Sequence, residues 1–357
     1  MNKIMCLYPR LIENRKYKAN LKNSGVIPAI SDKRALYVPV GCGKCMECMK
    51  KKAREWQVRL SEEIRTNKNG KFVTLTFDNN AYLYLNKKIK KRIDENGKEW
   101  NLTGYDRDNA ICKKAVRYFL ENWRKEFKRS VKHWFVTEIG GGRYEHIHIH
   151  GIIFTDESEE TIKRKWKYGF SFIGKYVNEQ TINYIVKYIY KTDDKHKNYN
   201  PKILTSKGIG KGYLKRVDSK NNKYKGLNTK DFYKTRTGYE IAMPIYYRNK
   251  IYTDEERENL WMMKLDKNER YIGGVKVQAD NDEDVRNALE VARMKNDDLG
   301  YGNDKINWSE KMYENQRRNL LLLQRIKDKK EESNKKREIE PSKENNEIPL
   351  GSIDDAF

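Results

Sequence analysis

A segment that alternates histidine with isoleucine limits the possible folds of this chain more than any other feature. Residues 146–154 read HIHIHGIIF, and the side chains of a β-strand alternate between its two faces. His146, His148 and His150 are therefore predicted to share one face, while the isoleucines between and after them face a core. Three of the chain's five histidines lie here, so chance clustering is a weak explanation.

An antiparallel hairpin is predicted to contain this strand. Residues 133–139 read HWFVTEI, which is rich in β-branched and aromatic residues, and three glycines at 140–142 separate the two strands. A turn near Arg143 places Glu138 opposite His148 on the histidine face. The hairpin thus brings a carboxylate to the imidazoles.

The histidine face is a candidate metal site. Two imidazoles and a carboxylate suit Mg²⁺, Mn²⁺ or Zn²⁺. His148 and His150 are the first two candidate ligands, and the third is either Glu138 or His146. A carboxylate offsets the charge of a divalent ion and His146 lies beside the glycine turn, which favours Glu138. The alternative is a solvent-exposed polar strand face without a metal.

A second candidate site lies on a predicted helix over residues 178–192, NEQTINYIVKYIYKT. Its apolar stripe has helical periodicity and consists of Ile182, Ile185, Val186 and Ile189. Tyr184 and Tyr188 are predicted to lie on the opposite face, beside Lys187 and Lys191. A phenol attacks phosphorus when its pKa is lowered or the phosphate is activated, and lysines stabilise the developing charges. The alternative is ordinary surface packing.

Four of the five cysteines lie near the N-terminus, at a spacing typical of zinc ligands. Cys42, Cys45 and Cys48 are three residues apart, and Cys6 completes a candidate four-thiolate site. Disulfides are not expected in a reducing cytoplasm, and zinc would hold a segment whose core is too small to fold alone. An iron–sulfur cluster and free buried thiols are the alternatives. Cys112 falls on a predicted amphipathic helix and is assigned to packing.

The charge of the chain indicates a polyanionic partner. The formal net charge is +24, and 24 tyrosines and 7 tryptophans are interleaved with the lysines and arginines. Cationic grooves with aromatic platforms are typical of proteins that bind single-stranded nucleic acid. Charge that serves solubility alone is the alternative. No run approaches the roughly 18 apolar residues of a membrane span, so we expect a cytoplasmic protein without a membrane partner.

Strands and helices are mixed and the clearest strand pair is antiparallel, which predicts an α+β fold. The expected segments are a Cys-rich segment over 1–50, a catalytic core over 51–200, a basic extension with helices over 201–327 and a disordered charged tail over 328–357. Other predicted elements are helices over 49–66, 107–129, 253–264 and 308–327, a short helix capped by Asp156, a strand over 71–77 and a polar insertion up to about 105. The final residues 351–357, GSIDDAF, are a candidate docking peptide for a host replication protein.

Three ordered motifs carry a family resemblance: VTLTF at 73–77, His148-x-His150 on a strand, and Tyr184-x-x-x-Tyr188 on a later helix. They resemble the motifs of HUH-superfamily initiators of rolling-circle replication. From residue 1 to about 260, the segments GCGKCMECMKKKAREWQVRL, HIHGIIF and YIVKYIYK are similar to replication initiation proteins of the Microviridae, small circular single-stranded DNA phages. The tyrosine pair resembles the two-tyrosine subgroup.

The resemblance implies a central antiparallel sheet flanked by helices and a metal-assisted nick in single-stranded DNA at the phage origin. His148 and His150 would be ligands of a catalytic Mg²⁺ or Mn²⁺, with a third polar ligand in the place that Glu138 occupies. Tyr184 and Tyr188 would be alternating nucleophiles, with Lys191 as their electrostatic partner. Attack would leave a 5′-phosphotyrosyl enzyme and a free 3′-hydroxyl primer, and the ends would later be rejoined.

The same resemblance implies host partners and leaves competing functions. The chain has no G-x-x-x-x-G-K-[ST] motif, so a host helicase would act beside a host polymerase and single-stranded DNA-binding protein in a bacterial cytoplasm. A relaxase or a tyrosine transposase would use the same chemistry. A non-catalytic zinc-bearing nucleic-acid-binding regulator would explain the charge and the cysteines, but not the aligned histidines together with two tyrosines.

Overall fold

The computed structural model describes residues 6–335, except for residues 31, 90, 94–96, 98, 194, 268, 279, 280, 303–317, 320, 321, 323, 324, 327 and 328. Within these residues the strands are β1 (Arg10–Glu13), β2 (Tyr37–Val40), β3 (Gly70–Leu75), β4 (Arg92–Ile93), β5 (Glu99–Trp100), β6 (Lys132–Ile139), β7 (Ile147–Phe154), β8 (Ser171–Gly174), β9 (Ile203–Thr205), β10 (Phe232–Lys234), β11 (Glu240–Ala242), β12 (Glu269–Ile272) and β13 (Val275–Gln278). The helices are α1 (Met46–Thr66), α2 (Asn79–Lys87), α3 (Gly104–Phe127), α4 (Glu159–Lys165), α5 (Glu179–Tyr190), α6 (Val217–Asn221), α7 (Ile245–Ile251), α8 (Asp254–Asp266) and α9 (Asp282–Asp298). Short 3-10 turns occur at Arg15–Tyr17, Leu21–Asn23, Lys33–Leu36 and Lys211–Lys215.

A five-stranded antiparallel sheet with the order β8-β3-β7-β6-β9 organises the fold. Its middle strand is β7, the histidine strand, and β6 is its hairpin partner. The register pairs Glu138 with His148 and Ile139 with Ile147, which confirms the predicted hairpin. The smaller two-stranded sheets, such as β1–β2 and β12–β13, lie outside it. The predicted α+β class with a central antiparallel sheet is therefore confirmed.

Each face of the sheet is covered by its own helices. On one face α2, α3 and α4 cover Ile147, Ile149 and Ile153, which are fully buried, as the alternation of the sequence predicts. On the other face α1 packs against α5, and both bury the remaining side of β6 and β7. Because side chains alternate along β7, His148 and His150 face α5.

Two helices differ from the sequence-based expectation. α2 lies inside the stretch predicted to be a polar insertion, where the Asp78 side chain caps its first turn. α4 is capped by Ser158 and not by Asp156, so that prediction is wrong by two residues. The predicted caps Asn178 of α5 and Thr253 of α8 are confirmed, each as a reciprocal capping box.

The Cys-rich segment and a distant part of the chain share one apolar cluster. Leu7 and Cys45 are buried there against the β12–β13 hairpin and α9. The guanidinium of Arg293 donates to the Leu7 carbonyl at 2.9 Å, and the Asn296 side chain accepts from the backbone of Met46 at 2.8 Å. Segments separated by more than two hundred residues in the sequence are thus adjacent in the fold.

A helical segment near the C-terminus also packs on the core. Residues 318, 319, 322, 325, 326 and 329–335 are helical, and Arg318, Leu322 and Arg325 are buried. Helical structure therefore continues past residue 328, where the predicted tail begins. Residues 336–357, with the candidate docking peptide, and most of the predicted helix over 308–327 lie outside the described residues. None of the described helices combines the length and apolarity that crossing a membrane requires.

Candidate active site

The β6–β7 hairpin brings a carboxylate and two imidazoles to the sheet face under α5. Glu138 is the cross-strand partner of His148, and His150 is two residues further along the same face. The hairpin needs glycine at residue 140, because a Cβ there would lie 2.5 Å from the His148 ring and 2.9 Å from the His146 carbonyl oxygen. The glycine run therefore makes room for a histidine as well as forming the turn.

His150 is the most tightly held of these side chains. It is 7% exposed, its Nε2 lies 2.8 Å from Glu138 Oε2, and its Nδ1 lies 3.1 Å from the hydroxyl of Thr74. An ionised carboxylate only accepts hydrogen bonds, so Nε2 is the protonated nitrogen and Thr74 donates to Nδ1. Thr74 belongs to the VTLTF motif of β3, which carried the family resemblance without a role assigned to this side chain.

Glu138 connects the histidines to the tyrosine helix. Its other oxygen, Oε1, accepts from Lys191 Nζ at 2.7 Å. Burial opposes ionisation of Glu138, but the hydrogen bonds from His150 and Lys191 outweigh it and lower the pKa of the carboxyl. The same bond to Glu138 raises the pKa of Lys191, so both groups are charged at neutral pH.

His148 differs from His150 in the freedom of its ring. It is half-buried, and the ring makes no hydrogen bond to a residue that the structure describes. Burial, followed by the nearby His150, lowers the pKa of His148, so the neutral imidazole dominates at neutral pH. A neutral imidazole with an available nitrogen is the form that binds a metal.

His146 does not share the face of the other two histidines, which corrects the prediction of three aligned imidazoles. The strand begins one residue later, at Ile147, and the His146 ring turns toward α2. There its Nδ1 donates to the Phe77 carbonyl at 2.8 Å and its Nε2 lies 3.0 Å from the Asn79 side-chain oxygen. Burial lowers the pKa of His146 to about 4. Both nitrogens are occupied, which disfavours His146 as a ligand.

The ligand atoms of His148, His150 and Glu138 share a face without converging on one point. Among the described residues, the four clustered cysteines are the one group of three or more metal-binding side chains whose ligand atoms all lie within 4.8 Å of one another. At the histidine face, the bond between Glu138 and His150 must open before both can bind an ion. The donor chemistry fits a divalent cation, since it offers an ionised carboxylate and two imidazoles.

The two tyrosines of α5 meet at their hydroxyls but differ in surroundings. Tyr188 Oη donates to Tyr184 Oη at 2.5 Å. Tyr184 is 46% exposed, whereas Tyr188 is 8% exposed and stacks on His150 with ring centroids 4.3 Å apart. Burial, then the hydrogen bond to Tyr184 and the charge of Glu138, raises the pKa of Tyr188.

The expectation that both tyrosines lie away from the core is therefore wrong for Tyr188. α5 lies between α1 and the sheet, so its buried arc is wider than the isoleucine stripe and includes Tyr188. The lysines are placed as predicted, close to the phenol rings. Lys187 Nζ lies 5.5 Å from the Tyr184 ring centroid, and Lys191 Nζ lies 5.6 Å from that of Tyr188.

Comparison with known proteins agrees with this assembly of side chains. The family model for replication-associated protein ORF2 matches residues 70–193. The replication-associated protein ORF2 of Spiroplasma virus 4 is 30% identical over 253 residues, which cover 62% of this chain and 72% of that protein. The chain belongs to the replication-associated protein ORF2 family. The predicted relation to phage replication initiators is confirmed. No solved structure matches the chain.

The family match of this replication-associated protein runs from β3 to just beyond α5. It contains Thr74, the β6–β7 hairpin, both tyrosines and Lys191, that is, every side chain of the hydrogen-bonded assembly described above. The cysteine cluster lies before the matched residues. The matched region is thus the region that the fold gathers around His150.

The cysteine cluster of this replication-associated protein brings four sulfur atoms together. The Sγ atoms of Cys6, Cys42, Cys45 and Cys48 all lie within 4.8 Å of one another. Gly43 has a φ of +77°, which favours glycine, and a Cβ on Gly41 would lie 3.0 Å from Cys48 Sγ. Two backbone amides, those of Cys42 and Cys45, donate to sulfur atoms of the cluster. Cys112 is buried on α3, apart from the cluster, as predicted.

Proposed function

We propose that this protein is a two-tyrosine HUH endonuclease and strand transferase that nicks the phage origin strand to start rolling-circle replication. One observation carries the proposal: hydrogen bonds and ring stacking link Tyr184, Tyr188, His150, Glu138 and Lys191 into one connected assembly. The assembly joins a phenol that solvent can reach to a candidate phosphate-activating face. Membership in a replication-associated family supports the biological role.

Tyr184 is the first nucleophile in this proposal. It is the exposed member of the pair, and its oxygen accepts the Tyr188 hydroxyl proton at 2.5 Å. That hydrogen bond and the nearby Lys187 ammonium stabilise negative charge as the Tyr184 proton is lost. Tyr188 has a raised pKa and keeps its proton during the first attack.

The bond changes of the first step balance without a further reactant. Tyr184 Oη forms a bond to the scissile phosphorus as the bond from phosphorus to O3′ breaks, and the phenol proton is transferred, in net, to O3′. The product is a 5′-phosphotyrosyl protein and a free 3′-hydroxyl primer. A later attack by a 3′-hydroxyl on the phosphotyrosine rejoins the ends, with Tyr188 as the alternate nucleophile.

His148, His150 and Glu138 are the residues that would hold a catalytic Mg²⁺ or Mn²⁺. When bound, such an ion polarises a nonbridging phosphate oxygen. Thr74 then orients the His150 ring, and Lys191 remains beside the carboxylate to limit its reach. His146 is a positioning residue for the start of β7, because its contacts tie the hairpin to Phe77 and Asn79.

Zinc is the metal that we propose for the cysteine cluster. Four sulfur ligands close a tetrahedral site, which is typical of structural zinc and leaves no position for a substrate. The cluster lies at the junction of the N-terminal segment and the β12–β13 hairpin, so the ion would hold that junction together.

The replication role brings host partners into the proposal. A nick with a 3′-hydroxyl requires a polymerase, strand separation requires a helicase, and the displaced strand requires a single-stranded DNA-binding protein. The sequence has no Walker-type phosphate-binding motif, so we assign the helicase to the bacterial host, in whose cytoplasm the reaction takes place.

The test is formation of a covalent protein–DNA adduct on circular single-stranded DNA with Mn²⁺. Tyr184→Phe is expected to abolish the first adduct, because the attacking oxygen is absent. Tyr188→Phe is expected to keep the first adduct but slow it by about 10- to 100-fold, through loss of a hydrogen bond worth ~1.5–3 kcal/mol to a charged oxygen. It is also expected to fail in strand transfer.

Tyr190→Phe is the matched control, since it removes a phenol oxygen from the same helix outside the assembly. It should nick and transfer like the wild type. Peptide mapping of the adduct identifies the tyrosine that is attached. A denaturant-resistant adduct formed by the Tyr184→Phe, Tyr188→Phe double variant would show that the nucleophile lies elsewhere.

A further inference from the structure

The edge strand β8 and the loop after it expose aromatic side chains beside the tyrosine helix. Phe172 is 51% exposed and Tyr176 is 84% exposed, and Tyr184 across from them is 46% exposed. Single exposed apolar residues are common, but a run of them on one surface marks an interaction site. The alternation of an edge strand does not require aromatic side chains on the outer face, since the inward residue Ile173 already anchors β8 in the core.

These side chains form the wall of a groove that reaches the candidate nucleophile. The groove has a volume of about 330 Å³ and is lined by Phe72, Gly174, Tyr176, Gln180, Thr181 and Tyr184. The Phe72 ring meets Phe172 and Tyr184 edge-on, with centroids 6.2 and 6.0 Å away. Tyr184 thus has two roles, since its ring lines the groove while its oxygen lies at the end of the hydrogen-bonded assembly.

The electrostatic surroundings of the groove favour an anionic ligand. Lys175 and Lys187 are exposed on either side of it. The acidic residue at the start of α5, Glu179, is 3.5 Å from the guanidinium of Arg236 and is therefore offset. Gln180 makes no hydrogen bond to a described residue, so its amide is available to a ligand. An aromatic wall between cations is the arrangement that single-stranded nucleic acid binds.

We infer that this groove binds one unpaired base of the DNA strand that is nicked, next to the scissile phosphate. The inference rests on the proposed function, because it uses Tyr184 as the attacking residue. Its volume is near the lower end of the roughly 300–1,000 Å³ of small-ligand pockets, which suits one nucleoside and not a duplex. A base held against Tyr176 and Phe72 brings its own backbone to Tyr184 Oη, so stacking sets the register of the cut.

The test is equilibrium binding of the full chain to two fluorescent 20-mers, without added divalent ion. One is oligo(dT) and the other is an abasic strand with the same number of phosphates. Tyr176→Ala is expected to weaken oligo(dT) binding by about 5- to 150-fold, which corresponds to the ~1–3 kcal/mol of one base–aromatic stack. Affinity for the abasic strand and the salt dependence of binding should stay unchanged, because the phosphate contacts remain.

Tyr84→Ala is the matched control, because Tyr84 is 51% exposed on α2, on the opposite side of the sheet. It should leave both affinities unchanged, and Phe172→Ala should repeat the Tyr176→Ala result more weakly. An equal loss on both strands would overturn the inference in favour of a charge or folding effect. Unchanged oligo(dT) binding would also overturn it and would leave the groove to a protein partner. Binding needs no bond cleavage, so a failure of the nicking proposal stays distinguishable.

Discussion

Two histidines that are two residues apart in the sequence have different surroundings in the fold. His148 lies within β7, and its ring has no hydrogen bond to a described residue, whereas His146 lies before the strand with both nitrogens occupied. The alternation of the sequence predicted the face of His148 correctly, together with its partner Glu138. It could not place His146, because alternation holds only inside a strand and the strand boundary depends on contacts with α2.

This difference leads to a prediction for single variants. His148→Ala and Glu138→Ala are expected to abolish Mn²⁺-dependent nicking, because each removes a proposed ligand. His146→Ala should retain Mn²⁺ binding and nicking but lower the free energy of unfolding by about 1–3 kcal/mol, since it leaves the Phe77 carbonyl without its partner. Mn²⁺ titration, nicking and urea unfolding of all three variants provide the measurements.

The opposite pattern would reverse the assignment of the third ligand. If His146→Ala lost Mn²⁺ binding with its unfolding midpoint unchanged, while Glu138→Ala kept binding, His146 would be the ligand. Asn79→Ala serves as the control, because it removes the other partner of the His146 ring without touching a ligand. It should lower stability and leave Mn²⁺ affinity unchanged.

At the scale of elements, periodic segments were predicted and segments held by tertiary contacts were not. β6, β7 and α5 have clear periods of two or 3.6 residues, and their identities agree with the structure. α2 was missed because its few apolar residues lie in a lysine-rich stretch, although Asp78 gives a capping signal. Burial of Tyr188 was missed because a helical stripe reports one contact face, and α5 has two, against α1 and the sheet.

The C-terminal helical segment shows a tertiary contact that composition conceals. Arg318, in a highly charged region, is 4% exposed and donates to Asp108 at 2.8 Å and to the Glu145 carbonyl at 2.9 Å. Its ion pair with Asp108 is itself buried. A charged residue is seldom buried unless it is paired, so a sequence-based prediction assigns such a residue to solvent. The segment therefore completes the face of the sheet that is opposite to α5.

Loss of this buried pair should destabilise the core. Arg318→Ala is expected to lower the free energy of unfolding by ~3–5 kcal/mol, because it leaves the Asp108 carboxylate buried and without its cation. Adding Asp108→Asn should recover part of the loss, since the amide carries no charge. Arg117→Ala, which removes an exposed arginine paired with Glu121 on α3, should cause no measurable change. Equal unfolding midpoints for Arg318→Ala and the wild type would refute this packing.

At the scale of the whole molecule, distant parts of the chain are joined through the cysteine cluster. Leu7 and the cysteines pack against the β12–β13 hairpin and α9, and the Tyr301 hydroxyl donates to the Tyr190 carbonyl at the end of α5. The thiol spacing predicted a metal site, and the structure brings Cys6 to the other three cysteines. The link to α9 could not be predicted, because a contact across more than two hundred residues leaves no periodic signal in one sequence.

This connection determines what zinc removal should do. The purified protein is expected to hold about one zinc per chain. Chelation should raise amide hydrogen exchange together in residues 6–48 and in α9, because the ligands and α9 share one cluster. Exchange in β3, β6 and β7 should stay slow, since their cores are separate from the cysteines.

Two cysteine variants separate a structural zinc from a general effect of chelation. Cys45→Ser should reproduce the effect of chelation, and Cys112→Ala, which changes a buried cysteine outside the cluster, should keep the zinc. Loosening of the central sheet before α9, or zinc content that survives Cys45→Ser, would contradict a structural zinc at this junction. The end of α5 provides a further readout, since loss of the Tyr301 contact would speed exchange at the last turn beside Lys191 without opening the hairpin.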